Sequence, residues 1–181
     1  AYELKKEDAA DEAYGLMRDL IRVLDAHVAE GGVSDTAFPA AIQTVLDVDG
    51  ALWYLAAINL LTNYDSYYAG HNFYLYRSPE DGRFHILLWD VNESFGVFPG
   101  AGIDPGNSTA VAQTDLFLMA TGQQAAERPL IRRLLAVPAF RADYLAHVRS
   151  LLDGAFRPAE LASRLAALQG VIRADLAEGA L

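Results

Sequence analysis

Apolar residues recur every three or four positions through the N-terminal part of the chain. Ala13, Leu16, Met17, Leu20, Ile21, Leu24 and Val28 fall on one face, and Asp8, Asp11, Arg18 and Asp19 on the other. That spacing predicts one amphipathic helix from Lys6 to Glu30, stopped by Gly31-Gly32. Ser34 or Asp35 is placed to cap a short helix through Ala41, Ile42 and Val45. Asp47 or Asp49 is placed to cap another, carrying Leu52, Trp53, Leu55, Ile58, Leu60 and Leu61. The last of these is apolar nearly all round, which predicts a buried helix and a rigid base for whatever follows it.

After Asn63 the period shortens. Phe73-Tyr74-Leu75-Tyr76 and Phe84-His85-Ile86-Leu87-Leu88-Trp89 are aromatic and branched, and Ser78-Pro79-Glu80-Asp81-Gly82 lies between them. Asp-Gly after Pro is turn chemistry, so a β-hairpin is predicted, with Trp89 in the core. Pro99, Gly100, Gly102, Pro105 and Gly106 mark a long surface loop. The remainder reads as helical. Thr114 or Asp115 opens one segment, and Pro129, Pro138 and Pro158 each stand at a first helical position. The last helix should carry Leu161, Leu165, Leu168, Val171, Ile172 and Leu176 along one face. The pattern is mainly α with one small hairpin, an α+β domain.

Length fits one domain: 181 residues, 52% of them hydrophobic, suffice for a substantial core. Within 1–181 the expected parts are helices at 1–62, a loop and hairpin at 63–96, a long loop at 97–113 and helices at 114–181. A net charge of −10 opposes nucleic acid as a partner, because most of the surface would repel its phosphates. It leaves a nucleotide open, since one cation and a few local donors can hold a triphosphate. The absence of cysteine removes disulfides and thiolate chemistry. No apolar run is long enough to span a bilayer, and Ala1-Tyr2-Glu3-Leu4-Lys5-Lys6-Glu7-Asp8 is not a signal peptide. A chain that opens without methionine on a helix reads as a piece of a longer protein.

The candidate chemistry sits at the ends of the hairpin strands. Asp65, Asn72 and Asp90 would meet at one edge of it, and oxygen ligands of that kind suit a hard divalent cation and the phosphates it carries. Each has a plainer reading. Asp65 could cap a turn, and Asn72 could bond neighbouring backbone. Asp90 directly follows Ile86-Leu87-Leu88-Trp89 and is read as a ligand, because an acid leaving an apolar strand needs a polar site. His71 reads as a hydrogen-bonded loop residue, His85 as lying on a strand face, and His27 and His147 as helix-surface residues. Tyr64, Tyr67, Tyr68, Tyr74 and Tyr76 read as hairpin and loop packing. Ser94-Phe95-Gly96 reads as a turn, and Arg128, Arg132 and Arg133 as a solvated helix face rather than a site for an acidic substrate.

The run Asn63-Tyr64-Asp65, Gly70-His71-Asn72-Phe73-Tyr74-Leu75-Tyr76-Arg77 and Trp89-Asp90-Val91-Asn92 resembles the core motif of the CotH family, spore-coat-protein-H-like atypical protein kinases. Arg128-Pro129-Leu130-Ile131-Arg132-Arg133 and Pro138-Ala139-Phe140-Arg141 with Tyr144 resemble its C-terminal helices. The resemblance implies the C-lobe of a protein-kinase-like fold, with most of the N-lobe missing. It implies Asp65 as the catalytic-loop acid and a further metal contact, with Asn72 as the amide ligand and Asp90 as the metal-binding acid. The order matches ordinary kinases, although the amide lies seven positions after the acid instead of five. Asn92 departs from the acid often found there in the family.

The implied reaction is transfer of the ATP γ-phosphoryl group to Ser or Thr of a protein substrate with Mg²⁺ or Mn²⁺, in an extracytoplasmic, cell-surface or spore-coat setting. The fragment alone would be inactive, for want of an N-lobe lysine. Two rivals are a pseudokinase or structural interaction module, and a metal-dependent phosphoester hydrolase. The hydrolase is opposed by the lack of His ligands and of a second acid cluster.

Overall fold

The computed structural model describes residues 10–98, 106–121 and 127–177. Its elements are α1 (Ala10–Leu24), a 3₁₀ turn (Val28–Glu30), α2 (Phe38–Val45), α3 (Val48–Leu60), β1 (Phe73–Arg77) and β2 (Phe84–Leu88). Then come α4 (Ser108–Ala112), α5 (Leu118–Thr121), α6 (Pro129–Ala136), α7 (Pro138–Asp153) and α8 (Pro158–Ala177). Among the described residues the protein is mainly helical with one two-stranded antiparallel sheet, as the pattern predicts.

The first helix is shorter than its periodicity suggests. It ends at Leu24, not Glu30, because the Asp25 carboxylate accepts from the His27 N–H (2.9 Å) and turns the chain. A separate 3₁₀ turn follows and closes on Gly31 at φ 89°. His27 is therefore an exposed turn residue paired with Asp25 rather than a helix-surface one. The predicted start at Lys6 lies outside the described residues. Neither Ser34 nor Asp35 caps α2: Ser34 closes the turn before it, and Asp35 pairs with Arg133. Asp47 occupies the N-cap position of α3, but its carboxylate turns to His85 (3.2 Å) instead of the helix N–H groups.

The core is built around α3, whose Ala51, Leu52, Leu55, Ala56 and Ile58 are buried. Each buried Leu or Ile contributes about 1.5–3 kcal/mol relative to exposure. Against α3 lies α7, through Tyr144. The Tyr144 hydroxyl donates to Leu116 O (2.8 Å) and accepts from Asn59 Nδ2 (2.8 Å), and burial pushes its phenol up to about 12. His147 is not a free surface residue. It stacks on Trp53 at 4.1 Å and reaches Asp49 (2.8 Å), joining α7 to α3.

Arg133 corrects the expectation of a solvated arginine face. It is 3% exposed, donates to Val23 O, Asp25 O and Val33 O, pairs with Asp35, and lies 4.0 Å over the Phe38 ring. One guanidinium thus ties the end of α1, the following turn and the start of α2 to α6.

The hairpin pairs Phe73 with Leu88 through Arg77 with Phe84. Its turn is closed by Asp81, which accepts from the Arg83 N–H and meets His85. It is anchored to the helices where the Asp47 N–H donates to Phe84 O (2.8 Å) beside an isolated Leu46–Phe84 bridge. Trp89 is not core. It lies past β2, is 56% exposed, and meets Tyr74 edge-on, because a two-stranded sheet leaves one face uncovered. Tyr64, Tyr67 and Tyr68 are buried as expected, whereas Tyr74 and Tyr76 are exposed.

The predicted long loop contains α4, capped by Asn107, whose carboxamide oxygen accepts from the Ala110 N–H; residues 99–105 lie outside the described part. Asp115 opens only a turn, and α5 begins at Leu118. All three proline starts hold. On α8, Leu165, Leu168, Val171 and Ile172 are exposed. No helix among the described residues is long and apolar enough to cross a membrane.

Two outcomes follow. Arg133→Met should destabilise the fold by about 3–5 kcal/mol in urea unfolding, because it strands three carbonyls around a buried site; a loss below 1 kcal/mol would refute the tie. The Asp81 carboxyl is held down to about 2 by the Arg83 N–H first, then by the His85 and Arg83 side chains. Its contribution is present above the ordinary value of 3.8 and lost as pH falls toward 2. Asp81→Asn should therefore flatten the Tm-versus-pH curve between about pH 4 and 2, and an unchanged acid limb would contradict it.

Candidate functional site

The site starts at the end of α3. Thr62 takes a left-handed backbone (φ 48°), donates its N–H to Asn59 O, and lets Asn63 N–H reach Ile58 O (2.9 Å). This is a Schellman termination with a β-branched residue where glycine is usual, at about 1–2 kcal/mol of strain. Asn63 and Tyr64 are then fully buried, and the Ser66 hydroxyl donates back to Asn63 O (2.6 Å).

Residues 65–72 form a tight loop closed by Asn72. Its Nδ2 donates to both the backbone oxygen (2.9 Å) and the carboxylate Oδ2 (2.8 Å) of Asp65. Asn72 has φ 56°, a left-handed conformation that Asn tolerates better than most residues. With both amide hydrogens spent on Asp65, the carbonyl Oδ1 is the end left to accept a cation. The other Asp65 oxygen lies 3.1 Å from His71 Nδ1. His71 is thus a loop residue within ion-pair distance of one Asp65 oxygen, and Asn72 holds the other by a hydrogen bond. Arg128 secures the far side of the loop, its Nε donating to Tyr68 O (2.6 Å). Tyr54 accepts from the Tyr67 N–H, and burial raises its phenol to about 12, so it stays neutral beside the loop.

Asp90 follows β2 and is also left-handed (φ 48°). Since Phe73 pairs with Leu88, Asn72 and Asp90 flank the same end of the hairpin. The structure brings Asp65 and Asn72 into contact. It leaves Asp90 exposed, with no hydrogen bond or ion pair to either among the described residues. The chain after Asp90 docks back on α3, where Phe95 N–H donates to Leu61 O and Gly96 N–H to Thr62 O. Ser94-Phe95-Gly96 is a turn as predicted, and both acid-bearing segments are moored to the same helix end. No group of three or more His, Cys, Asp or Glu among the described residues is arranged to hold a metal; the set here is two carboxylates and an amide.

A cavity of about 1220 Å³ opens beside the loop, between α1 and the hairpin. His71, Asn72 and Arg128 stand at one end, and Tyr74, Tyr76 and Trp89 are among its walls. Sequence reasoning missed Arg128 as part of this constellation. Its signal in the sequence was as one of three arginines weighed for an acidic substrate and assigned to a solvated helix face.

These features define a helical domain with an acid–amide loop at the mouth of an aromatic cleft. The family model described as CotH kinase protein matches residues 1–179, and the chain belongs to the CotH family. It is similar to the inner spore coat protein H of Bacillus subtilis (strain 168), at 33% identity over 95 residues. That match covers 52% of this chain and 24% of the relative's length.

Asn72 separates side chain from backbone effects. Asn72→Gly should lose about 1–3 kcal/mol in urea unfolding through the unpaired Asp65 carbonyl. Asn72→Ala should lose about 1 kcal/mol more, because alanine resists a positive φ. Equal stabilities for the two variants would contradict the left-handed clamp.

Proposed function

We propose that this chain is the C-lobe part of a CotH-type protein kinase, which transfers the γ-phosphoryl group of ATP to Ser or Thr of a protein substrate. The observation that carries the reading is the Asn72–Asp65 clamp: one amide fixes the acid through its Nδ2 and leaves its carbonyl oxygen outside those bonds. The chain matches only a quarter of its curated relative, so the activity is proposed for the whole protein. By analogy with the name of that relative, a spore-coat or surface setting is proposed as well.

The donor set fits Mg²⁺ or Mn²⁺, since all three side chains offer hard oxygen. Asn72 Oδ1 and the Asp90 carboxylate would hold the ion, which when bound neutralises charge on the transferring phosphates. Asp65 receives the acceptor hydroxyl. Its carboxylate, held by Asn72 beside His71, orients the Ser or Thr oxygen and takes its proton. That oxygen bonds to the γ-phosphorus as the bond to the β-phosphate oxygen breaks. Holding the acid rigid supplies part of the barrier reduction through orientation alone.

A non-catalytic interaction module is the second reading. It is favoured by the exposed apolar residues Trp89, Val91, Phe95 and Val97 around Asp90, which give that segment the look of a contact surface.

In the complete protein with Mg²⁺ and labelled ATP, Asp65→Asn and Asp90→Asn should each lower protein labelling by at least about 10²-fold, as expected for a general base or a charge-stabilising group. Undiminished labelling in either variant would overturn the assignment, and no labelling in the wild type would favour the module.

A further inference from the structure

Resting on that reading, we infer that Arg128 is the cation with which this chain grips the phosphates of the nucleotide. Phosphoryl transfer needs a cationic partner for the charge on the phosphates. Arg128 is well placed to supply it from the start of α6. Its side chain is 17% exposed, and its close partners are backbone oxygens: Nε to Tyr68 O (2.6 Å) and Nη1 to Glu127 O (3.0 Å). Its carboxylate contact among the described residues, with Glu127, is 4.0 Å long, and Glu127 is 75% exposed. Arg133, by contrast, has a carboxylate at 3.0 Å. A largely desolvated guanidinium without a close counter-ion favours an incoming anion.

The local backbone keeps one edge of that guanidinium open. Nη2 makes no hydrogen bond among the described residues, and it lies against Gly70, where a Cβ would stand 3.2 Å away. Gly70 has φ 90°, so the chain passes Arg128 without a side chain to cover it. The same cavity is lined by His71 and Asn72, which places Arg128 at the end of the cleft that holds the acid–amide loop. Arg77 and Arg132 also line it, and Asp25, one of its acids, is engaged by His27. Three arginines against Asp25 and Glu127 give the cleft lining a positive formal balance in a chain of net charge −10. Aromatic walls beside that end suit a flat base, so the anion class is a nucleoside polyphosphate, not free phosphate.

The test is calorimetric titration of the chain in EDTA, with sodium tripolyphosphate, ATP and inorganic phosphate as separate probes. ATP should bind at least about tenfold more tightly than tripolyphosphate, and phosphate most weakly; equal binding of ATP and tripolyphosphate would overturn the nucleotide assignment. Arg128→Gln should weaken tripolyphosphate binding at least about tenfold and flatten its salt dependence, whereas Arg128→Lys should stay within a few-fold of wild type. Wild-type binding by Arg128→Gln would overturn the proposal.

Should that variant unfold, the arginine Nε–H signals of the wild-type chain decide. Movement of the Arg128 signal on adding tripolyphosphate supports the contact, and a static signal refutes it. A failed titration alongside Asp90-dependent labelling would sink only the arginine site. A successful one with labelling undiminished in Asp65→Asn would sink only the kinase reading.

Discussion

The end of α3 is the constraint on which the site depends. A buried helix terminates there in a strained left-handed threonine, and two separate segments are fastened to that turn. One leads through buried Asn63 and Tyr64 to Asp65; the other returns from Asp90 through Phe95 and Gly96 to Leu61 and Thr62. Strain of this size persists only where surrounding structure holds it, and here the holding is done by core packing of α3 and by the bonds the turn itself accepts. The Asn72 clamp then closes the loop from the hairpin side.

This arrangement divides labour between a rigid part and an open part. Asp65 is mostly buried, with one oxygen held by Asn72 and the other within ion-pair distance of His71, whereas Asp90 is exposed. A fixed acid beside a freely hydrated one suits a site in which one group orients a hydroxyl and the other meets a hydrated ion on arrival. The surrounding phenols do not compete for protons: burial raises Tyr54, Tyr64 and Tyr68 above the usual tyrosine value.

Much of the fold was legible because it rests on local signals. The period-two runs around Asp81-Gly82 gave the hairpin, three prolines gave three helix starts, and the all-round apolar character of residues 48–60 gave its burial. What was not legible depends on partners distant in sequence. Arg133 reads as a surface residue until Val23, Asp25 and Val33 present their carbonyls to it, and Trp89 reads as core until the sheet proves to have only two strands. The early end of α1 turns on one carboxylate–amide bond that helix periodicity does not register. In the site, the pairing of Asp65 with Asn72 followed from hairpin geometry. The isolation of Asp90 and the proximity of Arg128 did not, since both are set by how α3 and α6 meet the loop.

Paramagnetic relaxation by Mn²⁺ in the presence of ATP addresses the shared-site claim most directly. Side-chain amide signals of Asn72 and backbone signals of Asp65 and Asp90 should broaden together at low Mn²⁺, ahead of exposed acids such as Asp19 and Glu80. Broadening of Asp90 with Asn72 left sharp, or broadening spread evenly over the acidic surface, would contradict a single phosphate-transfer centre.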